Sequence, residues 1–353
     1  MNDRPRERRA ILDVNHPSQA YILRAVHHAL RDRGYEIRVV ARDKDVTLHL
    51  LRAFGIDFES LSTARRGKLG AAIELVEREL RFYRAVRAFR PHALIGTSVH
   101  AARAARLFGG RSVIVNEDDA SVVPLFTKLA YPFADRIVTP RCLAYEGWGA
   151  RHFMYPGTQK LFYLHRDRFT PDPAAPASFG LTKPFGLVRF SGFAAHHDAG
   201  QRGLDRAMVA ELAKRLAGTV ELVVSSEGAS APPDGTRALN VPPESMHHVL
   251  ASARFVLSDS QSMVVESAVL GVPAIRVNDF VGRISVMKEL EQAGLAWGYR
   301  PENAADAIAL AEQFGLDPDR RRAVQNANDA WYEKTPDPLP PLIDMIDALV
   351  KEV

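Results

Sequence analysis

The sequence predicts an α/β protein built from two doubly wound parallel-sheet domains, and three observations predict it. Short apolar runs, as expected of strands buried on both faces, alternate with stretches of helical periodicity. That alternation runs through the chain twice, which is the pattern of parallel sheets with crossover helices. Between the two passes, residues 165–184 carry Pro171, Pro173, Pro176 and Pro184 with few apolar residues, the composition of a linker. At 353 residues, 46% hydrophobic and 25% charged, the chain has enough apolar side chain for two separate cores. Its single cysteine, Cys142, excludes a disulfide scaffold.

The first pass opens with a strand at 10–14, then a polar turn, Asn15-His16-Pro17-Ser18, and a helical pattern that stops at Gly34, where glycine supplies the left-handed conformation a helix end favours. A strand at 36–41 follows, then a long helix at 69–89, a buried strand at 93–96, a short helix at 101–108 and strands at 112–115 and 136–139. The second pass reads strand 185–190, helix 204–216, strand 220–225, short helix 245–252, strand 255–258, helix 263–270 and strand 273–277. Prolines 336, 338, 340 and 341 interrupt the remainder before an amphipathic helix at 342–350. The domains expected are therefore 1–164, a linker at 165–184, 185–330 and a helical tail at 331–353. Two such domains joined by a linker would form a cleft at the carboxyl ends of their strands, the default ligand site.

Charge is uneven. Residues 1–150 hold 25 Lys and Arg against 17 Asp and Glu, and residues 151–353 hold 21 against 25. The basic first half suits an anionic surface, whether a phospholipid layer or a diphosphate-linked substrate. Arg78, Arg81, Arg84 and Arg87 would form one such face, with a solvated helix face interleaved with Glu74, Glu77 and Glu79 as the plainer reading. Nucleic acid is not expected, because no aromatic-and-basic motif accompanies these arginines. No stretch approaches the roughly 20 apolar residues of a membrane span, and the N-terminus lacks an apolar signal core, so a cytoplasmic protein is expected, with peripheral contact to an anionic membrane open.

The most informative segment is FVLSDSQSMVVESAVLGVPAIR, from Phe255 to Arg276. It reads as strand, small-polar turn, helix and next strand. The turn Asp259-Ser260-Gln261-Ser262 puts N–H groups and hydroxyls at a helix start, where the peptide dipoles favour a phosphate or diphosphate. Glu266, about one turn further, could reach ribose hydroxyls. The alternative is that Asp259 or Ser260 is a simple cap and Glu266 a solvated residue.

Asp259-Ser260, Glu266, Leu270-Gly271 and Pro273 together resemble the donor-nucleotide signature of the glycosyltransferase-B superfamily, which includes the non-hydrolysing UDP-N-acetylglucosamine 2-epimerases. Further stretches resemble one prokaryotic domain-of-unknown-function family within it: Asp13 to Pro17, Ala41 to Asp45, Tyr131 to Asp135 with Val138-Thr139-Pro140, Tyr155-Pro156-Gly157, Tyr163-Leu164-His165, Arg189-Phe190-Ser191 with His197-Asp198, and Ser226-Glu227-Gly228. The resemblance spans about residues 10–295 and implies two Rossmann-like domains facing across a cleft, the GT-B fold. It also implies that Ser260, Gln261, Ser262 and Glu266 hold a donor nucleotide.

Which reaction follows depends on acid and base groups in the first domain. In the resembling epimerases an Asp follows the fourth strand, where this chain reads Gly96-Thr97-Ser98. A further Glu is expected within Ser121 to Phe126, where no acid exists; only Glu117 matches. A glycosyltransferase needs less: a base for the acceptor hydroxyl and donors for the leaving diphosphate. His16, after the first strand, is a candidate base with an ordinary pKa near 6.5; a loop histidine bonded to the backbone beside Pro17 is the other reading. The family's second histidine position is Gln19 here. Glu117 and Asp118, in the acidic run ending at Asp119, are the other candidate bases.

In the second domain Arg189 could clamp the diphosphate, or pair with Asp198. Ser191, Glu227 and His247 lie at the same strand ends and are candidate donor contacts, with Ser245 as a cap beside His248 the alternative. His196 and His197 do not read as a metal site, since neighbouring histidines diverge. Retaining enzymes of this architecture carry a Glu where this chain has Ser258, which favours inversion. The expected function is an inverting, metal-independent and cofactor-free glycosyltransferase, passing a sugar from a nucleotide-sugar donor to a polysaccharide or glycolipid acceptor. An NDP-sugar 2-epimerase or hydrolase, or a non-catalytic nucleotide-sugar-binding protein, is the alternative.

Overall fold

The computed structural model describes residues 8–65, 67–143, 148–190, 203–226 and 231–352. The chain divides into two compact units, Met1–Tyr163 with Asp337–Val353, and Leu164–Pro336. The first unit runs β1 (Arg8–Val14), α1 (Pro17–Asp32), β2 (Tyr35–Asp43), α2 (Thr47–Ala53), β3 (Phe58–Thr63), α3 (Gly67–Phe89), β4 (Ala93–Gly96), α4 (Val99–Phe108), β5 (Arg111–Val115), α5 (Pro124–Ala130), β6 (Arg136–Pro140) and β7 (His152–Tyr155), with α6 (Leu161–Leu164) at its boundary. In the second unit follow α7 (Ala175–Ser178), β8 (Phe185–Phe190), α8 (Arg206–Leu216), β9 (Glu221–Ser226), β10 (Arg237–Ala238), α9 (Met246–Ser252), β11 (Val256–Ser258) and α10 (Gln261–Val269). It is completed by β12 (Ala274–Val277), α11 (Ser285–Gln292), β13 (Ala296–Tyr299), α12 (Ala304–Leu316) and α13 (Pro318–Tyr332). Helix α14 (Leu339–Lys351) belongs to the first unit.

The sheets are parallel, with strand orders β3-β2-β1-β4-β5-β6-β7 and β10-β9-β8-β11-β12-β13. Each order reverses once, between β1 and β4 in the first sheet and between β8 and β11 in the second. Crossovers leave such a point toward opposite faces, so the loops diverge and a crevice opens at the carboxyl ends of the strands.

The first sheet is covered on one face by α1, α2 and α14 and on the other by α3, α4 and α5. Helix α1 follows from its pattern: Ala20, Leu23, Val26, His27 and Leu30 recur on one side and are buried, and Pro17 sits in the first turn, where its missing N–H is no loss. Gly34 has φ +81°, which stops the helix as the sequence suggests.

Segments treated as linker and tail in the sequence have other places here. Residues 165–184 belong to the second unit, where Pro176 and Leu181 are buried, Leu181 within its core. The last helix starts at Leu339 and takes Pro340 and Pro341 into its first turn instead of beginning after them, and its Leu342, Ile346 and Leu349 lie in the first unit's core.

Candidate nucleotide-sugar site

In the second unit the two central strand ends are laced together. Ser258, the last residue of β11, is in register with Arg189 of β8. Its hydroxyl donates to the Arg189 carbonyl at 3.1 Å and accepts the Ser260 N–H at 2.9 Å. Arg189 in turn donates through Nη1 to Ser225 Oγ of β9 at 2.6 Å. Ser225, Arg189, Ser258, Arg276 and Gly298 thus form one row across five strands, on one face of the sheet.

Helix α10 begins where that row ends. Ser260 is its N-cap by position, with extended φ and ψ, yet its side chain makes no capping bond. The simple-cap reading of Ser260 is therefore not what the structure has. Ser260, Gln261 and Ser262 are half-buried at the helix start, which offers N–H groups and the positive end of the helix dipole to an anion. Asp259 is buried, and its carbonyl accepts from Asn278 Nδ2 at 2.9 Å, which ties the turn to the end of β12.

Glu266 is 8% exposed, so it is not a solvated helix residue. Its Oε1 lies 3.4 Å from His247 Nε2, the histidine in the first turn of α9. The His247 ring meets the Phe169 ring edge-on with centroids 6.0 Å apart. Ser245 precedes α9 without a side-chain cap, and His248 accepts the Asp172 N–H on Nδ1 at 3.0 Å. Ser191, Glu227, His196, His197 and Asp198 lie outside the described residues.

Sequence reasoning missed Arg276. It is fully buried, and among the described residues none of its three guanidinium nitrogens has a hydrogen-bond partner. Burial lowers its pKa to about 10, with the Glu291 charge opposing the shift, and burial raises that of Glu291. Glu291 Oε1 would lie 2.4 Å from a Cβ at Gly298, so the glycine lets that carboxylate come in over the end of β13. An arginine inside the run Pro273 to Val277 was the one available signal.

In the first unit the strand ends at the reversal bring His16, Asn15, Gly96, Thr97 and Ser98 together. Asn15 Nδ2 donates to the Thr97 carbonyl at 3.5 Å, and a Cβ at Gly96 would lie 2.6 Å from the Asp13 carbonyl, so the close pairing of β4 with β1 there requires glycine. His16 is exposed and is the N-cap of α1: its Nδ1 accepts the Ser18 N–H at 3.3 Å and lies 3.0 Å from Ser18 Oγ. The backbone-bonded reading of His16 is realised, and it leaves the ring at the mouth of the strand ends.

Glu117 is held on both oxygens. Oε1 takes Lys160 Nζ at 2.7 Å, with Lys160 buried, and Oε2 takes the Gln159 N–H at 3.0 Å. Asp118 is half-buried, and its N–H donates to Asn116 Oδ1 at 3.2 Å. Arg78 corrects the expectation of a solvated arginine face: it is 3% exposed and paired with the buried Asp13. Glu74, also read as solvated, is 2% exposed and binds Arg42 through both oxygens, at 2.6 and 2.7 Å.

No family model and no curated protein matches the chain. Solved structures do. The chain is similar to UDP-GlcNAc 2-epimerase from Neisseria meningitidis bound to UDP-GlcNAc, at 12% identity and a TM-score of 0.63, over 92% of this chain and 98% of that one. It is also similar to the spinosyn forosaminyltransferase SpnP, at 14% and 0.66, over 97% and 100%. Acinetobacter baumannii MurG follows at 14% and 0.58, over 97% and 99%. The fold is GT-B. Epimerases and glycosyltransferases share this GT-B architecture.

Proposed function

We propose that the protein is a cytoplasmic glycosyltransferase that moves a sugar from a nucleotide-sugar donor to a glycan or lipid-linked acceptor, by inverting displacement and without a metal or other cofactor. The observation that carries this reading is the start of α10, where Ser260 holds the N-cap position without using its side chain for the cap, and Ser262 sits about one helical turn before the buried Glu266. Ser260, Gln261 and Ser262 would receive the diphosphate, Arg189 would clamp it, and Glu266 with His247 would take the ribose. Ser191 and Glu227 complete the proposed donor set.

Transfer is favoured over epimerisation by what the first unit lacks. Gly96, Thr97 and Ser98 follow β4 without a carboxylate, 121–126 contains none, and Glu117 is already engaged by Lys160. His16 is therefore the preferred base, ahead of Asp118. Acting as base through Nε2 requires the other tautomer, in which Nδ1–H donates to Ser18 Oγ in place of accepting the Ser18 N–H; Nε2 then carries the lone pair that takes the acceptor proton. The acceptor oxygen then bonds to the anomeric carbon as the bond to the diphosphate breaks. The N–H groups of the α10 start and Arg189 stabilise the charge that departs.

Thermal unfolding with UDP, GDP, TDP, CMP and ADP tests the donor site. One of them at about 100 times its Kd stabilises the protein by about 2.7 kcal/mol, and Glu266→Ala loses the effect. Stabilisation by none overturns the reading. Donor consumed with no acceptor present indicates an epimerase or hydrolase instead, and binding without turnover a non-catalytic nucleotide-sugar-binding protein.

A further inference from the structure

Helix α3 is inside-out along its first half. Between Leu69 and Leu80 the side chains turned inward include the charged Glu74 and Arg78, while Leu69, Ile73, Leu75, Val76 and Leu80 stand outward, from 47% to 76% exposed. Leu69, Ile73, Val76 and Leu80 follow one another at spacings of four, three and four, a single stripe along the helix. After Arg81 the polarity returns to normal, with Phe82, Ala85, Val86 and Phe89 facing the sheet. An isolated exposed leucine needs no explanation, but a continuous stripe does.

The stripe is part of a wider surface. Of the twelve large apolar side chains exposed among the described residues, nine lie on the layer that covers this face of the first sheet. They are the five above, Leu107 and Phe108 at the end of α4, Leu125 of α5, and Phe133 in the turn after it. Tyr83 and Phe108 touch edge-on, with centroids 5.4 Å apart, and so join α3 to α4. The layer's charge is basic. Glu77 is bound to Arg65 and Arg81, and Glu79 to Tyr83 and Arg103. Arg84, Arg87, Arg106 and Lys128 are exposed and in no ion pair among the described residues.

We propose that this layer docks on the surface of an anionic phospholipid bilayer, with the α3 stripe entering the headgroup region and the surrounding arginines meeting lipid phosphates. The charge pattern favours a membrane over a second copy of the chain, because self-association would press a basic surface against itself, whereas anionic headgroups complement it. An in-plane helix with an apolar face and basic flanks is the form such contacts take. This inference does not depend on the reaction proposed above.

Sedimentation with vesicles of equal parts phosphatidylglycerol and phosphatidylcholine, and with phosphatidylcholine alone, tests it at low and high salt. The protein is expected to bind the anionic vesicles at low salt and to lose affinity as salt rises. Replacing Arg84 or Arg87 by Ser lowers affinity by about fivefold each. The double variant Ile73→Asp, Leu80→Asp lowers it by at least about tenfold while its melting temperature and nucleotide response stay those of the wild type. Absence of binding to anionic vesicles overturns the proposal. So does a lipid-free dimer, seen by sedimentation equilibrium, that the same double variant splits.

Discussion

His16 has two tasks that one substitution can separate. As N-cap it accepts the Ser18 N–H, and losing a cap costs about 1 kcal/mol. As the proposed base it must also take a proton. Asparagine caps helices well and cannot titrate, so His16→Asn is expected to leave the melting temperature unchanged while turnover falls by about 10²- to 10⁴-fold. Donor binding, followed by the thermal shift with nucleotide, should persist. Unchanged turnover would transfer the role of base to Asp118. The sequence announced His16, Glu266 and Ser260 through their places beside strand ends and a helix start. It could not announce the partners, because Lys160 lies 43 residues from Glu117 and Ser225 lies 36 from Arg189, and only the fold closes those distances.

At the scale of elements, periodicity recovers where a helix runs but not which way its polarity points. Helix α3 was legible as a helix, and the burial of Glu74 and Arg78 was not, because it depends on Arg42 from β2 and Asp13 from β1 being there to receive them. Once charges are inside, they need partners with good geometry, since a buried charge left alone is costly. Helix α1 is ordinary except at His27, buried in its core-facing stripe. Burial, helped by the His28 and Arg31 charges, lowers its pKa from 6.5 to about 4. The unfolded chain therefore binds a proton below pH 6.5 that the folded protein refuses until about pH 4, so this group's contribution is complete above pH 6.5 and declines as pH falls toward 4. Urea unfolding of wild type and His27→Leu across that range should show a smaller acid loss in the variant. Equal losses would mean that the imidazole does not drive it.

The whole molecule was legible as two parallel-sheet domains because buried parallel strands leave compact apolar runs in the chain. What could not be read was that a segment far downstream finishes the first of them. Helix α14 inserts Leu342, Ile346 and Leu349 under the first sheet, and its buried Asp347 takes Tyr35 Oη at 2.7 Å and Arg33 Nη1 at 2.7 Å. Ile346→Ala is expected to destabilise the first unit by about 2 to 5 kcal/mol. Hydrogen exchange should show the loss in β1 and α1 and not in β8 to β13. A loss spread evenly over both units would indicate that they unfold as one.

The origin of α14 also sets an order in time. Since domains tend to form as they emerge during synthesis, residues 164–336 can collapse onto their own core while β1 to β7 are still waiting for one wall of theirs. A nascent chain stalled before residue 337 should hold a protected second unit beside a first unit that proteases still cut, an apolar surface that a chaperone would have reason to cover until the ribosome moves on.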